Sequence, residues 1–378
     1  MKNGWLTKGF EDCLEAVDYT RKVPRRKFLA EGKFPIISQE ADFINGYWND
    51  SADLFKISRP VIVFGDHTQV VKYIDFDFVL GADGVKVLLP SNFLSPKFLY
   101  YYLQAFPVAD LGYARHYRLL RALEITYPPL PAQQRIVGLL DEAFAGIATA
   151  KANAEKNLQN ARALFESHLQ SVFTQHGKGW KERPLGTLAT FRNGINYTKD
   201  SKGELVKIVG VKDFKNSFWV SRDNLDNVTV DGKLNESDAL KRGDILAVRS
   251  NGNLELIGRT LLAGDMPEKI SHSGFTIRIR LTNADVLPQY LCHLMKCAAT
   301  RKLLVEGGTG TNIKSLNQQT LSALDVPFPP LAEQKALVAK LESLSTETKC
   351  LASIYERKFA ALEALKKSLL HQAFTGQL

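Results

Sequence analysis

PPLPAQQRIVGLLDEAFAGIATAKANAEKNLQNARALFESHLQSVFT, from Pro128 to Thr174, returns 201 residues later as PPLAEQKALVAKLESLSTETKCLASIYERKFAALEALKKSLLHQAFT, from Pro329 to Thr375. The offset holds at both ends: Pro128 aligns with Pro329, Gln133 with Gln334, Val137 with Val338, and Phe173-Thr174 with Phe374-Thr375. Self-similarity at a fixed offset marks a duplicated architecture. Two copies at so long a period exclude a solenoid. The repeated piece reads as a long helix, and what lies between the copies is a domain. A duplicated unit of this kind implies a pseudo-two-fold molecule, and a two-fold molecule usually reads something that itself has two halves.

The helix is legible from its heptads. Ile136, Leu140, Ala143, Ile147, Ala150, Ala154, Leu158, Ala161, Phe165, Leu169 and Val172 recur every three or four residues, as a coiled-coil seam does. The second copy carries Leu337, Leu341, Leu344, Leu351, Leu362, Leu365 and Leu369 on the corresponding stripe. Pro-Pro precedes each helix, where proline is tolerated, and Gly376 suits a C-terminal cap. From Ile136 to Thr174 the helix spans ~58 Å at 1.5 Å per residue. An apolar seam needs a partner, and the simplest is the other copy. One globular segment precedes each helix, so an antiparallel pairing places the segments at opposite ends, whereas a parallel one crowds them. The near-identical Gln133-Gln134 and Gln334-Lys335 ends are read as one surface offered to two copies of a partner.

Composition bounds the class. The chain has 378 residues, 45% hydrophobic and 24% charged, which is ordinary for a globular protein with two or three domains. No apolar run approaches the ~20 residues a membrane helix needs, and the N-terminus lacks the apolar stretch of a signal peptide, so a cytoplasmic protein is expected. The four cysteines form no C-x-x-C pair, which argues for reduced thiols and no zinc site. The formal net charge is +9, with the largest surplus, 21 basic against 16 acidic side chains, in residues 179–328. A basic protein without a membrane signal suits a polyanionic partner, commonly nucleic acid.

The organisation is then 1–127, a globular domain; 128–178, the first helix; 179–328, a second domain; and 329–378, the second helix. Strands are expected at Pro60–Phe64, Val85–Leu89, Leu205–Val209, Ile245–Val248 and Phe275–Leu281, the last alternating like a half-buried strand. Short helices are expected at Pro96–Ala105 and Pro288–Lys302. Both segments open near a tryptophan (Trp5, Trp180) and close into Pro-Pro-Leu. They therefore read as diverged copies of one fold. The class is α+β: two mixed domains alternating with two long helices that form an antiparallel coiled coil.

With these residues in place, the chain resembles a specificity (S) subunit of a type I restriction-modification enzyme. The resemblance rests on Pro128-Pro129-Leu130 with Gln133-Gln134, Pro329-Pro330-Leu331 with Glu333-Gln334-Lys335, the ending Ala373-Phe374-Thr375-Gly376-Gln377-Leu378, and Gly308-Thr309-Gly310-Thr311-Asn312-Ile313. It rests also on Phe64-Gly65-Asp66-His67-Thr68 followed by Gly81-Ala82-Asp83-Gly84 and Arg115-His116-Tyr117, and on Arg249-Ser250-Asn251-Gly252-Asn253. It spans essentially the whole chain. It implies two target recognition domains, each reading one half of a split, asymmetric duplex DNA sequence, with the helices separating them. It implies two methylation (M) subunits that bind S-adenosylmethionine, restriction (R) subunits that bind ATP and Mg, and no cofactor or chemistry in this chain. A recognition subunit serving a smaller enzyme with fused methyltransferase and nuclease, and a coiled-coil scaffold that binds no DNA, are the alternatives.

A search for catalytic motifs agrees. Tyr127-Pro128-Pro129-Leu130 and Phe328-Pro329-Pro330-Leu331 share only the prolines of an adenine-methyltransferase motif. The glycine-rich stretch before Lys314-Ser315 lacks the glycine a phosphate loop needs there. Readout of base edges uses Arg on guanine, Asn or Gln on adenine and Asp on cytosine. Arg249, Asn251 and Asn253 surround Gly252 on an expected turn, which is either a DNA contact with close backbone approach or an ordinary polar turn. Asp66, His67 and Thr68 follow a strand and read equally well as a capped tight turn. Arg115 and His116 can meet phosphate or base. Arg21, Lys22, Arg25, Arg26 and Lys27 form a basic run, a solvated loop or a phosphate contact. Asn312 and Lys314 lie near the place in the second half that Arg115–Arg118 hold in the first.

Overall fold

The computed structural model describes residues 4–175, 177–214, 217–307 and 315–377. It forms two compact units, Met1–Glu155 with Glu356–Leu378, and Lys156–Tyr355.

In the first unit the strand Leu6–Gly9 runs antiparallel to Glu124–Tyr127. A four-stranded sheet follows in the order Leu14–Glu15, Val85–Pro90, Val61–Gly65, Val71–Ile74, every pair antiparallel. A second sheet has the order Gly46–Trp48, Phe34–Ile37, Phe78–Leu80, Leu54–Phe55, with the middle pair parallel. Helix α1 (Pro96–Ala105) starts on a proline, whose missing N–H costs nothing in a first turn. It buries Phe98, Leu99 and Tyr102 in one core with Ile62, Phe64 and Leu88. Helix α2 (Tyr117–Arg121) precedes the closing strand, and helix α3 (Leu130–Thr174) follows it.

The second unit repeats this plan. Lys181–Pro184 pairs antiparallel with Asp325–Phe328. The main sheet has the order Ala189–Asn193, Thr276–Leu281, Ile245–Val248, Thr260–Leu262, again all antiparallel. The other sheet has the order Asp226–Thr229, Leu205–Val209, Ile270–His272, again with one parallel pair. Helix α4 (Pro288–Lys296) corresponds to α1, α6 (Gln318–Ser322) to α2, and α7 (Leu331–Thr375) to α3. The globular parts are thus two copies of one topology.

Two local expectations are corrected. The helix expected over Pro288–Lys302 is broken at Cys297, whose backbone is extended (φ −59°, ψ 134°); α5 (Ala298–Glu306) starts afresh. Gln170 accepts from Cys297 Sγ at 2.9 Å and from the Ala299 amide at 3.3 Å, which fixes the break. The strand Thr276–Leu281 is central in its sheet, and residues 276–279 are buried on both faces, so the expected alternation with solvent is absent there. Arg278 is 5% exposed. Arg280 pairs with buried Asp244 through two bonds of 2.6 Å, and Arg192 with buried Asp238 at 2.5 Å.

The helices pair antiparallel within each unit. Ile136 and Leu140, early in α3, share a core with Leu370, Ala373 and Phe374, late in α7. Leu169 and Phe173, late in α3, share one with Val338 and Leu341, early in α7. All the expected seam positions of α3 are buried or half-buried. In α7 the stripe is shifted: Leu351 and Leu365 are exposed, and Ala352, Tyr355, Phe359 and Leu362 take the inner face. Leu351 and Leu365 each fall one residue before an inner position, Ala352 and Lys366, so leucine identity alone leaves the face that the three- and four-residue steps keep. Gly376, at φ +77°, ends α7 in the left-handed conformation expected of a helix stop.

The repeated glutamine has an internal explanation, which corrects its reading as a partner surface. Gln133 and Gln334 are fully buried. Gln133 Oε1 accepts from the Ser95 amide at 2.8 Å, and its Nε2 donates to the carbonyls of Phe93 and Pro128. Gln334 Oε1 accepts from the Leu287 amide at 2.9 Å, and its Nε2 donates to Asp285 and Pro329. Ser95 and Leu287 are the residues before the proline starts of α1 and α4. Each carboxamide therefore clamps a long helix to the short helix of its unit.

Two buried imidazoles make the second unit acid-sensitive. Burial depresses His272 to about 3, helped by nearby Arg278, and depresses His293 to about 4, helped by Lys296. Both rings are neutral in the fold, whereas the unfolded chain protonates near 6.5. Their stabilising share is full above that pH and is lost as pH falls toward 4 and below. As pH falls from 6.5 to 5, the loss of stability should steepen toward ~1.4 kcal/mol per pH unit for each histidine, from about half that at pH 6.5. Urea titrations across this range should show that slope, roughly halved in His293→Phe; an equal slope in the variant contradicts the assignment.

Candidate nucleic-acid interface

In the first unit the candidate residues separate into structural and exposed ones. Asp66 is 4% exposed. Its Oδ1 accepts from the Tyr117 amide at 2.7 Å at the start of α2, and its own amide donates to the Gly84 carbonyl. His116 is fully buried. Its Nε2 accepts from the Leu111 amide at 3.1 Å, so the ring proton sits on Nδ1, 3.0 Å from the Asp66 carbonyl. Asp110 Oδ1 lies 3.8 Å from the same Nε2, but that nitrogen is already an acceptor and the pair is not an ion pair. Asp66 and His116 are therefore withdrawn as DNA contacts: burial leaves neither side chain able to reach a ligand.

His67, Thr68 and Arg115 remain outside and come together. His67 Nδ1 is 3.1 Å from the Ala114 carbonyl, next to exposed Arg115. Its ring stacks on Tyr113 with centroids 5.0 Å apart and planes 12° apart. Tyr113 is 93% exposed, so the stack presents a broad aromatic face. Thr68 is exposed and donates to the Gln39 carbonyl. Gly84 sits at φ +73°, where an added Cβ would lie 2.9 Å from the His67 ring, so glycine lets that loop close in. The basic run joins the cluster from the other side. Val23 bridges to Gly81, Lys22 Nζ donates to the Val85 carbonyl at 2.8 Å, and Arg21, Arg25 and Arg26 are exposed. Burial and then Lys86 push the Lys22 ammonium below its usual range, against the opposing carboxylates of Asp83 and Asp66.

In the second unit the corresponding loops hold Arg249, Asn251 and Asn253. The Arg249 amide donates to the Phe275 carbonyl, and the Leu316 amide donates to the Arg249 carbonyl. In the first unit the Asp66 amide donates to Gly84 and the His116 amide to the Asp66 carbonyl. Arg249 thus occupies the place of Asp66. Asn251 Oδ1 accepts from the Asn253 amide at 2.8 Å, and Asn253 Oδ1 accepts from the Glu255 amide at 2.9 Å. Both side chains shape the turn with their oxygens and leave their amide groups outward. An added Cβ at Gly252 meets nothing within 4 Å and its φ is not positive, so the turn does not require glycine. Asn312 and Lys314 lie outside the described residues.

Comparison with known proteins follows this duplication. A family model described as the type I restriction modification DNA specificity domain matches residues 3–159 and again 177–356. The chain belongs to that family. A specificity subunit from Salmonella potsdam, of the type I restriction enzyme StySPI, is 24% identical over 345 residues, covering 85% of this chain and 73% of that protein. The EcoR124I/EcoR124II specificity subunit of Escherichia coli is 22% identical, covering 91% and 89%. A chain from a structure concerned with complex assembly and conformational transition of the type I R-M system superposes with a TM-score of 0.76 at 16% identity, covering 100% and 99%. The HsdS subunit of Thermoanaerobacter tengcongensis gives 0.58 at 16%, covering 100% and 98%.

In this specificity subunit the two domains solve one capping problem differently. Asp66 caps α2 in the first. In the second, Asn317 caps α6 by accepting from the Thr320 amide at 2.7 Å. The equivalent of Asp66 is thereby released from structural duty, and the Arg249 guanidinium forms no hydrogen bond or ion pair with the described residues. The sequence reading missed the exposed aromatic beside each turn: Tyr113 in the first domain and Phe275, 63% exposed, in the second. Each directly follows a glycine in a loop, and that Gly-aromatic pair was the available signal. Among the described residues no group of three or more His, Cys, Asp or Glu could hold a metal ion. No described helix is long and apolar enough to cross a membrane.

Proposed function

We propose that this type I restriction-modification specificity subunit reads a bipartite, asymmetric duplex DNA target, one block per recognition domain. The observation that carries this is the shared backbone frame around Asp66 and Arg249, which gives both domains the same turn with different side chains. In the first domain His67, Tyr113, Thr68 and Arg115 face the DNA, with Arg21, Arg25 and Arg26 on phosphates. In the second, Arg249, the amide groups of Asn251 and Asn253, and Phe275 do so; Phe275 suits a thymine methyl. Asn312 and Lys314 are assigned to the same face from the order of the chain. The chain performs no reaction and holds no cofactor. Two methylation subunits bring S-adenosylmethionine, and restriction subunits bring ATP and Mg. The assembly works in the cytoplasm.

Arg249→Ala tests the readout. Loss of ~1–3 kcal/mol of discrimination is expected at one position of one half-site, with the other half-site unchanged. Competition binding of the complex with methylation subunits against single-base variants of its target measures this. Uniform weakening across all sequences would place Arg249 on a phosphate instead.

A further inference from the structure

Within the second unit a cleft of about 440 Å³ opens between the recognition domain and the long helices. Five cationic side chains line it: Arg162 from α3, Arg259, Lys296 from α4, Arg301 from α5, and Lys349 from α7. Glu166 is the one carboxylate among the lining residues. Phe165 and Phe218 form apolar walls, and the Phe218 ring lies 4.4 Å from that of His293.

These cations are crowded rather than neutralised. Lys296 Nζ donates to the carbonyls of Ser217 at 3.1 Å and Thr260 at 2.7 Å. Arg259 Nε donates to Glu255 at 3.0 Å, and Arg301 donates to the carbonyls of Glu255 and Ile257. Every one of these acceptors is a backbone oxygen, which carries no full charge. Arg162 and Lys349 are exposed and form no hydrogen bond or ion pair with the described residues. Burial, with Arg259 and Lys349 adding to it, outweighs what Cys292 and Glu166 return and holds the Lys296 ammonium below its usual range; burial with Arg259 does the same to Arg301 although the Glu255 carboxylate opposes it. Like charges held this close in a partly apolar cleft repel one another, and a multivalent anion relieves that repulsion.

We propose that this cleft binds a small polyphosphate-bearing ligand, its phosphates held by Arg162, Arg259, Arg301 and Lys349. The volume is that of a small-molecule site. The lining comes from the recognition domain and from both α3 and α7, so side chains of several elements can reach the phosphates of one compact ligand. Inorganic polyphosphate and a nucleoside triphosphate share the recognised chemistry. The Phe165 and Phe218 walls offer a ring-binding face that only the latter would use. Nothing in this reading depends on which DNA sequence the chain recognises.

Calorimetric titration of the intact chain, assembled with its methylation subunits, with inorganic tripolyphosphate and separately with ATP tests the site. One saturable site per chain is expected for at least one probe. Arg162→Glu with Lys349→Glu, both on exposed helix surface, should weaken it at least about tenfold, since charge-assisted contacts are lost. Tighter binding of ATP identifies a nucleotide ligand, and equal binding identifies an inorganic one. Hydrogen exchange of the unmodified protein should show protection on ligand addition at 162–166, 258–260 and 345–349. Absence of saturable binding, or binding that the double variant leaves unchanged, overturns the proposal. So does loss of DNA affinity in the variant without any binding of the two probes, which would assign the cluster to DNA phosphates.

Discussion

Asp244→Ala should destabilise the second recognition domain by ~3–5 kcal/mol, the effect of removing one partner from a buried ion pair. Asp244 is 1% exposed. It binds Arg280 through both carboxylate oxygens and also accepts from the Lys241 amide at 2.7 Å. Without it, Arg280 keeps a bond to the Ala239 carbonyl at 3.2 Å but no countercharge. It would also stand on the same strand as buried Arg278, with Arg192 opposite Arg278 on the neighbouring strand. Asp238 would remain bound to Arg192 and leave Arg280 without a carboxylate partner. Asp244→Asn keeps the shape and part of the hydrogen bonding, so its loss should be smaller. Urea unfolding followed by tryptophan fluorescence reads both variants. A change under ~1 kcal/mol in Asp244→Ala would mean that water reaches Arg280 and the pair behaves as a surface bridge.

Gln133→Met and Gln334→Met should each cost ~3 kcal/mol, and by similar amounts. Methionine nearly conserves volume, so the loss isolates the polar part. Each variant leaves one amide and two carbonyls without their buried partner, and an unsatisfied buried group costs ~1–3 kcal/mol, partly relieved by local rearrangement. The sites lie in different units and share no partners, so the double variant should be close to additive. Gln→Glu should not rescue either site, because a carboxylate cannot donate to the two carbonyls. Were Gln334→Met alone harmful, the clamp would not be an equivalent device in both copies.

The long helices were legible because their signal is long: ten successive steps of three or four residues in α3, two prolines before each helix and a glycine after α7. Helix α1 falls at Pro96–Ala105, as its proline start and apolar face indicate. The duplication of the globular parts was legible from the order of elements, although little identity survives. What sequence could not supply is which side of a polar residue faces the protein. Asp66 and His116 looked like surface chemistry, yet both are buried by a contact between segments about 50 residues apart. Arg278 and Arg280 fitted a half-solvated strand, yet the 237–244 segment covers that face and takes their hydrogen bonds. Gln133 and Gln334 were noticed as repeated, but repetition does not distinguish a shared partner from a shared clamp. The α7 stripe slipped because leucine identity was followed where alanine and tyrosine keep the phase. Tyr113 and Phe275 were missed because a single exposed aromatic carries no periodic signal.

Two copies of one recognition unit are expected to read two blocks of DNA, with the paired helices setting the gap. Single-base mapping of DNA methylation in cells that express the chain with its methylation subunits measures both blocks and the gap. The unmodified chain should give two short specific blocks around a non-specific spacer. Insertion of four residues, about one turn and ~6 Å, after both Ala154 and Tyr355 should lengthen that spacer by about one to two base pairs and leave both blocks unchanged. A continuous target, or an insertion that alters the blocks themselves, would contradict the account.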